Sequence, residues 1–553
     1  MNKLIMQLHF KRICAWVVLI PVVLVSSCTD LTEQVHNQVT ADNFFQTDEE
    51  FISALGDAYG SLGTYGNHNS ITSINETASD EIVITQKGPD WEDGGIWLRH
   101  QRHTFRPSED AINNAWNSMF SGVNNANRLI FQFETVVESG DVSEADAAAF
   151  IAELEALRAF YYYMLLDNFG NVPIVDSFEG AEENPTQPSS DFAQGRQQVF
   201  DFVESELLRA LDVVDTDVSA TVGRVNKWVV HMTLAKLYLN AEVYTGTPRW
   251  NDVITHTDAI INSGNFSLIG NQLDNFTVDN AGSPEHIFTV PYDEVFFGGF
   301  NLVMMTNHIL SQPAFNFGSQ PWNGYQTQTE FYGSYIDPES NPGPQGEVIG
   351  LDPEGSKVMG TLDERLDGFL VGFLRDLQGN IIEDAGSFEG ETHGNQIFHT
   401  PYINELAPNG WRQAGARIHK YEMEVGLAGA NMNNDFVIYR YADVLMMKAE
   451  ALWRMNPNDP TALMLFNQIR QRAGVDPYTS LDADKILAER GREMFYEVVR
   501  RQDLIRFEGK EGATRFNDTW QFKETVSDPS RNVFPIPQNQ LEANPSLVQN
   551  PGY

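Results

Sequence analysis

Hydrophobic residues recur at intervals of three and four along much of the chain, the spacing that places them on one face of an α-helix. The strongest stretch runs from Ala147 to Val175, where aromatic and aliphatic residues form one continuous stripe. Gly170 and Pro173 follow the stripe, and these residue types commonly end a helix. The pattern predicts a long helix whose aromatic face packs inside a larger helical array.

The same periodicity predicts further helices on both sides of this stretch, and several of them adjoin in pairs. Their expected ranges are 44–62, 108–134, 196–214, 226–245, 250–263, 436–454, 462–473 and 482–508, the last with Asp482 as its N-cap. The helix at 108–134 is expected to form a hairpin with the aromatic helix. The helix at 250–263 has no neighbour in sequence, so its partner must come from far along the chain.

An irregular region separates the two groups of predicted helices. Residues 268–434 are rich in Gly, Asn, Gln, Pro and aromatic residues, with short strand-like pieces such as 286–291. A loop-rich insertion this long is usually functional. Helix pairs with alanine and large aromatic residues at their interfaces are typical of tetratricopeptide-like repeats. We therefore predict a mainly α-helical fold of such repeats, with a loop-rich lobe inserted.

The amino terminus carries a processing signal. A basic segment precedes an apolar run at 13–25, which is shorter than the roughly 17 residues that a membrane-spanning helix needs. The run ends in Val-Ser-Ser-Cys, which resembles a bacterial lipobox. Cys28 would then become an acylated amino terminus that holds the protein at a membrane. Ordinary secretion with a free Cys28 is the alternative.

These features divide the chain into five predicted parts. Residues 1–27 are a lipoprotein signal peptide, 28–43 a lipidated tether, 44–267 an amino-terminal helical region, 268–434 the loop-rich lobe and 435–553 a carboxy-terminal helical region. The boundaries follow the changes in periodicity and composition along the chain.

Charge and cysteine content exclude several classes of function. The chain has 76 acidic and 36 basic residues and a formal net charge of −40 at pH 7. Such a surface repels nucleic acid, so we expect no nucleic-acid partner. Cys14 lies in the signal, which leaves Cys28 as the only cysteine of the mature chain. A disulfide, a thiol nucleophile and a cysteine zinc site are thereby excluded.

We expect neither catalysis nor a bound metal or cofactor. Carboxylates are so numerous that a pair at hydrolase separation says little. No Gly-x-Ser-x-Gly, phosphate loop or dinucleotide fingerprint occurs in the sequence. His100 and His103 are close in sequence but lack a nearby third ligand of the usual zinc pattern. The prediction is a protein that binds its ligand without changing it chemically.

Six segments, in order, resemble the SusD/RagB family of outer-membrane nutrient-binding lipoproteins. They are ALRAFYYYMLLDNFGNVP (156–173), GRVNKWVVHMTLAKLYLN (223–240), YRYADVLMMKAEA (439–451), NQIRQRAG (467–474), ERGREMFYEVVRRQDLIR (489–506) and FPIPQNQLEANPSLVQNPGY (534–553). The chain departs from commoner family residues at Arg500-Arg501 and at Val229-Val230. The resemblance covers nearly the whole mature chain.

The resemblance implies four tetratricopeptide-type helix pairs, two of them completed by segments after the lobe. It also implies a partner, a SusC-like TonB-dependent transporter of the outer membrane, over which the lipoprotein sits as a lid. At the cell surface the protein would capture an oligosaccharide and deliver it for import. The alternatives are a peptide-binding lid and a scaffold of the same complex that binds protein alone.

A sugar offers apolar C–H faces and a rim of hydroxyls, so its site needs flat aromatic side chains beside hydrogen-bonding groups. Tryptophans at stripe positions of predicted helices are assigned to the core; these are Trp116, Trp228 and Trp453. A tryptophan in a loop differs, because exposing an indole loses hydrophobic burial unless a partner covers it. Loop tryptophans are therefore the better candidates.

The first loop cluster spans residues 80–106. Its candidate ligand-binding residues are Trp91 and Trp97, which flank a Gly-Gly pair, together with Arg99 and with Asp80, which resembles an acidic family position that reaches the ligand. Arginines and histidines are concentrated at 99–106 in an otherwise acidic chain. They hint at an acidic ligand such as a uronate sugar; internal salt bridges are the alternative.

The second loop cluster is QPWNGYQTQTEF at 320–331. It resembles the segment that precedes the family's Asp-x-Arg pair, here Asp363 and Arg365, and family ligand sites often draw an aromatic residue from this neighbourhood. Trp322 and Tyr325 are the candidates, and a packing role is the alternative for both.

Overall fold

The helices of the amino-terminal region occupy the ranges that hydrophobic periodicity predicts, with small shifts at their ends. In this computed structural model, residues 47–336, 363–387, 391, 394–509 and 515–553 are described; the predicted signal peptide, Cys28 and tether lie outside them. The helices are α1 (Asp48–Tyr59), α2 (Ile71–Glu76), α3 (Ile96–Gln101), α4 (Asp110–Ser139), α5 (Glu144–Phe169), α6 (Phe192–Ala210), α7 (Lys227–Leu239), α8 (Ala241–Thr245) and α9 (Trp250–Ser263).

The aromatic helix, α5, is buried along its carboxy-terminal half. Every residue from 156 to 169 is buried. The Ser143 side chain accepts a hydrogen bond from the first turn, and Gly170 ends the helix with a positive φ of 75°. On α4, Gly122 leaves room for the ring of Tyr161, which a Cβ there would overlap. The predicted hairpin of α4 and α5 is confirmed.

The helices of the lobe and of the carboxy-terminal region complete the array. They are α10 (Leu302–Thr306), α11 (Gln312–Phe315), α12 (Thr329–Gly333), α13 (Tyr441–Met455), α14 (Pro460–Arg472), α15 (Ala483–Met494), α16 (Arg500–Arg506) and α17 (Gln538–Ala543). The helix α9 packs against α13, a partner from far along the chain, but also against α7, which lies just before it in sequence; the expectation that it has no sequence neighbour is wrong. No helix within the described ranges is both long and apolar enough to cross a membrane.

The strands are short and pair two by two. They are β1 (Ile82–Ile84), β2 (His286–Val290), β3 (Tyr325–Thr327), β4 (Phe369–Leu370), β5 (Gly372–Phe373), β6 (Phe398–His399), β7 (Arg417–Ile418) and β8 (Phe436–Arg440). The antiparallel pairs are β1–β3, β2–β8, β4–β7 and β5–β6. The strand expected at 286–291 is confirmed as β2, and the lobe is otherwise made of loops and short helices.

Two predicted helices need correction. The first five residues of the helix expected at 436–454 form β8, which is rich in β-branched and aromatic residues and pairs with β2. The helix expected at 482–508 begins as predicted, with the Asp482 side chain as N-cap, but is broken between α15 and α16. In the break, Tyr496 and Val498 have positive φ angles of 61° and 62°.

Buried carboxylates from far along the chain explain this break. The backbone N–H of Val498 donates to Glu76 Oε1 at 2.8 Å, and that of Tyr496 donates to Glu81 Oε2 at 3.3 Å. Glu76 is the last residue of α2, and Glu81 immediately precedes β1. Each glutamate lies more than 400 positions from the residue that donates to it. Because these hydrogen bonds replace those of a continuous helix, the local pattern alone predicts the wrong structure here.

A network of buried ion pairs joins the lobe to the carboxy-terminal helices. Its acidic centre is α15, which contributes Glu489 and Glu493. From the lobe, Arg365 donates to Asp363 and to Glu489, with distances of 2.8 Å to each. From β8, Arg440 donates to Glu493 at 2.6 Å and to Glu497 at 2.7 Å. The cations hold the pKa of Glu489 and of Glu493 below the usual range.

Candidate functional site

The structure brings the two predicted loop clusters together. The indole N–H of Trp91 donates to the carbonyl oxygen of Trp322 at 2.7 Å, although 231 positions separate them. The pairing of β1 with β3 sets this contact, because Ile84 lies opposite Tyr325 and the two loops extend from the same end of the strand pair. Two short strands therefore place two distant tryptophans side by side.

Aromatic rings continue around these two tryptophans. The ring of Trp322 lies 4.8 Å from that of His68, and the ring of Trp91 lies 6.2 Å from that of Trp97 in an edge-on arrangement. Trp91, Trp322 and His68 are half-buried, whereas Trp97 is 5% exposed. We refer to His68, Trp91, Asp93 and Trp322 as the aromatic site, which Trp97 supports from inside.

The backbone of this site is strained. Trp91, Asp93 and Asn323 have positive φ angles of 61°, 39° and 56°, which residues other than glycine rarely adopt. A Cβ at Gly324 would lie 2.8 Å from the Trp91 ring, so only glycine allows the indole to lie this close to the backbone. Such strain persists where the surrounding structure holds it, and it is common at functional sites.

Hydrogen bonds fix the polar groups of the site. The indole N–H of Trp97 donates to Asp93 Oδ2 at 2.7 Å. His68 Nδ1 lies 3.0 Å from Asn301 Oδ1. The Oδ1 atom of Asn323 is buried and has no hydrogen-bond partner among the described residues. A buried acceptor without a partner is unusual in a folded protein and needs an explanation.

The site is acidic at neutral pH. Burial lowers the pKa of His68, an effect that the hydrogen bond with Asn301 and the nearby Asp93 carboxylate oppose. Asp90, Glu92 and Asp93 are exposed on the Trp91 loop. Within the described ranges Asp93 accepts a hydrogen bond from Trp97 and forms no ion pair.

Three of the basic residues expected to bind an acidic ligand are engaged with the protein, whereas Arg102 and Arg106 are exposed. Arg99 donates to Glu109 at 2.5 Å and to the carbonyl oxygen of Gly94 at 2.6 Å. His100 lies 3.1 Å from the same glutamate. His103 lies 2.8 Å from the carbonyl oxygen of Ala78, and burial lowers its pKa. Arg99, His100 and His103 therefore make internal contacts, which is the alternative to binding an acidic ligand.

Asp80 and Tyr325, two further candidate ligand-binding residues, make contacts within the protein. Both carboxylate oxygens of Asp80 accept hydrogen bonds from Arg500 at 2.7 Å. Tyr325, expected as a ligand platform, is instead fully buried, with its hydroxyl 3.3 Å from the carbonyl oxygen of His68. Its place in β3, between core residues, turns the ring inward. Tyr325 therefore supports the site from below.

The two halves of the chain match two descriptions of one family. A family model described as "SusD family" matches residues 284–553, and one described as "Starch-binding associating with outer membrane" matches residues 30–239. The chain belongs to the SusD family. This confirms the family that its sequence motifs resemble.

Relatives of this SusD-family protein are distant in sequence. A SusD-like protein of Bacteroides ovatus is 24% identical over 520 residues, which are 90% of this chain and 83% of that protein. The starch-binding protein SusD of Bacteroides thetaiotaomicron is 23% identical over 439 residues, 74% of each chain.

Solved structures confirm the fold. A SusD superfamily protein of Parabacteroides distasonis has a TM-score of 0.70 at 18% identity, over 93% of this chain and 100% of that chain. Surface glycan-binding protein A of Bacteroides thetaiotaomicron, in complex with laminarihexaose, has a TM-score of 0.68 at 20% identity, over 91% and 99%. The mainly helical, tetratricopeptide-like fold predicted from the sequence is thus confirmed for this SusD-family member.

Sequence reasoning missed His68 and Asn301. Both lie outside the loop clusters that tryptophans mark, and neither has a local signal. They reach the site because the segment after α1 packs against the segment before α10, where the backbone N–H of Asn301 donates to Gly66 O at 3.0 Å. Only the tertiary structure of the SusD-family protein identifies them.

Proposed function

We propose that this protein binds a glycan at the aromatic site and delivers it, chemically unchanged, to a SusC-like TonB-dependent transporter. The observation that carries this proposal is the contact between Trp91 and Trp322, two half-exposed indoles that distant loops bring together. Burying a large indole is favourable, so two that stay partly open need a reason. A sugar that covers them supplies it.

The polar groups around the two indoles match the hydroxyl rim of a sugar. The exposed Asp93 carboxylate can accept hydrogen bonds, and the His68 imidazole has one nitrogen beyond its contact with Asn301. Stacking on the indoles supplies affinity, while these groups fix orientation. The surrounding structure holds Trp91 at its positive φ angle, so the site needs little rearrangement to bind a ligand.

The charge of the site favours a neutral glycan. Asp93 has no cationic partner among the described residues, and Arg99, the basic candidate, is paired with Glu109. A uronate would bring a second negative charge to this surface, which costs binding energy. We therefore favour neutral oligosaccharides over the uronates that the basic residues at 99–106 suggest.

Relatives support a glycan and an outer-membrane location. The similar proteins include one named starch-binding protein SusD and a surface glycan-binding protein solved with laminarihexaose. One matching family description includes association with the outer membrane. We propose that an acylated Cys28 supplies the anchor and that the protein faces the cell exterior. A Cys28→Ser variant should then leave the membrane fraction, and mass spectrometry of the mature amino terminus should find acyl chains.

Calorimetry with neutral oligosaccharides tests the proposed function. Trp91→Ala and Trp322→Ala should each weaken binding by about tenfold or more, because each removes a stacking surface. Trp228→Ala is the matched control, since Trp228 is also half-buried but lies in α7 with its N–H on Thr216 O. The affinity of the Trp228→Ala variant for the oligosaccharide should equal that of the unchanged protein.

Two results would contradict this assignment. Equal affinity in all three variants would place the glycan elsewhere on the protein. If no glycan or peptide shifts the melting temperature while a pull-down still recovers the transporter, the protein is a scaffold of the complex.

A further inference from the structure

A second cavity lies in the helical region, away from the aromatic site. Its volume is about 610 Å³, within the range of small-molecule sites. The wall consists of parts of α6, α8 and α16 together with the turn at 529–533. The lining residues that matter below are Phe192, Arg196, Val243, Ile505 and Asn532.

Arg196 is a buried cation that forms no ion pair with a carboxylate among the described residues. Its side chain belongs to a residue that is 8% exposed. Within the described ranges its guanidinium makes one hydrogen bond, from Nη1 to the carbonyl oxygen of Val243 at 3.1 Å. Its Nε atom is buried without a partner. Burial lowers the pKa of this arginine, an effect that the nearby Tyr244 and Asp167 oppose only in part.

Two other buried arginines pair with carboxylates, whereas the fully buried Arg417 donates to backbone carbonyls and to His399. Arg158 donates to Glu206 at 2.8 Å, and Arg506 donates to Glu450 at 2.8 Å from both Nε and Nη2. An unpaired buried charge is strongly unfavourable, and a buried donor without a partner needs an explanation. The rings of Tyr244 and Phe192 lie 4.9 and 6.0 Å from the Arg196 guanidinium, which offsets only part of this penalty.

The rest of the wall supplies a second donor and an apolar surface. The side-chain oxygen of Asn532 accepts from Asn517 at 2.8 Å, which leaves the Asn532 amide N–H groups as donors at the cavity. Phe192, Val243 and Ile505 offer apolar contacts. The site therefore combines one free positive charge, one neutral donor and a hydrophobic wall.

Two glutamates limit the charge that the cavity accepts. Glu242 and Glu508 also line it, and neither forms an ion pair with Arg196. A ligand with several negative charges would meet these carboxylates, whereas a single carboxylate directed at Arg196 would not.

We propose that this cavity binds a monocarboxylate, with the carboxylate on Arg196 and Asn532 and the body of the ligand against the apolar wall. A uronate sugar and the carboxy terminus of a peptide share this chemistry. The site is separate from the aromatic site and does not depend on the function proposed for it.

Calorimetry and thermal shift on the full mature protein test the proposal, with glucuronate, N-acetyl-leucine and the amide of each as probes. At least one acid should bind and raise the melting temperature, while its amide should not, because only the acid pairs with the guanidinium. Binding of glucuronate alone identifies a sugar, and binding of N-acetyl-leucine alone identifies a peptide terminus. If neither acid binds, or if the amides bind equally well, the proposal is overturned.

Matched variants locate the binding. Arg196→Gln should weaken acid binding by about tenfold or more, whereas Arg209→Gln, on the same helix but with a side chain 55% exposed, should leave it unchanged. Glu242 has a side chain 42% exposed, so Glu242→Gln should fold normally and should tighten acid binding about two- to fivefold by removing a like charge. Unchanged acid binding in both Arg196→Gln and Glu242→Gln would overturn the proposal. If Arg196→Gln proves unstable, unchanged acid binding in Glu242→Gln alone would overturn it.

Discussion

The buried ion-pair network around α15 and the aromatic site use their polar groups in opposite ways. In the network, Arg440 is fully buried and its three guanidinium nitrogens donate to Glu493 and Glu497 at 2.6–2.7 Å. At the aromatic site, Asp93 has no cationic partner and Asn323 Oδ1 has no hydrogen-bond partner within the part of the chain that the structure describes, and two indoles are partly exposed. The charges of Arg440, Glu493 and Glu497 are paired with one another, whereas polar groups of the aromatic site have no such partners among the described residues.

This difference separates stability from binding. In a buried region each charge needs its partner, so removing one leaves the other in a low-dielectric interior. At the surface, groups that the protein leaves unpaired remain available to a ligand. We therefore expect substitutions in the network to affect folding first, and substitutions at the aromatic site to affect binding first.

The largest expected effect comes from breaking the network. Arg440→Gln should lower the free energy of unfolding by about 3–5 kcal/mol, because Glu493 and Glu497 lose a buried partner. Arg249→Gln is the control, since Arg249 pairs with Asp252 and Glu204 while 34% of its side chain is exposed; it should cost less than about 1 kcal/mol. Urea denaturation measures both, and equal losses would show that burial does not set the strength of these pairs.

Replacing a tryptophan should cost more stability in the core than at the aromatic site. Trp116 is 4% exposed and lies between the rings of Phe120 and Phe169 at 4.7 and 5.1 Å. Trp116→Ala should destabilise the fold by about 3–5 kcal/mol, and Trp91→Ala by less than about 2 kcal/mol because its ring is already half-exposed. Thermal unfolding ranks the two variants. A larger loss for Trp91→Ala would mean that its contact with Trp322 is structural.

A histidine pair between α7 and α9 should make stability depend on pH. His231 Nδ1 and His256 Nδ1 lie 2.8 Å apart, and burial is the main cause that lowers the pKa of each from 6.5 to about 4. Between these values the unfolded chain binds more protons, so stability is complete above pH 6.5 and is lost as the pH falls to 4, by roughly 2–4 kcal/mol for the pair.

Denaturation at several pH values measures this loss. His256→Gln removes one titrating group and should make the free energy of unfolding fall less steeply between pH 6.5 and 4. Charged groups near the pair, namely Lys227, Arg249, Asp252 and Glu204, stay in place in both proteins. An unchanged slope would mean that other groups dominate acid unfolding.

The smallest expected effect concerns charge at the aromatic site. Asp93→Asn removes an exposed carboxylate without a cationic partner, so it should raise affinity for a uronate oligosaccharide by about two- to fivefold, and the gain should shrink at high salt. Glu49→Gln, at the start of α1, is an exposed acidic control that should change nothing. Calorimetry at two salt concentrations measures this difference. A lower uronate affinity in Asp93→Asn would show that Asp93 helps to bind the ligand rather than to select against charge.

Much of the helical architecture was predictable from sequence, because helix periodicity and helix ends depend on near neighbours. Gly170 ends the aromatic helix, Asp482 caps α15, and α9 occupies Trp250–Ser263 as expected. The errors lie where a distant partner decides. Residues 436–440 form a strand because β2 pairs with them. The break after α15 depends on Glu76, the last residue of α2, and on Glu81, which immediately precedes β1.

The candidate site shows the same division. Composition and loop position singled out Trp91 and Trp322, because a tryptophan outside a helical stripe has no evident core role. Their contact and the burial of Tyr325 depend on the pairing of β1 with β3, and the support from His68 depends on the packing of the segment after α1 against the segment before α10. Whether Trp91, Trp97, Arg99, Trp322 or Asp80 touches a ligand stays a prediction.

The sequence by itself determined the helices, their order and the residue types that a site would need, since these depend on spacing along the chain. Tertiary structure alone decided which polar groups stay unpaired, because a partner such as Glu109 for Arg99 or Arg500 for Asp80 is set by packing. Exposure is a property of the folded surface, and no local pattern contains it.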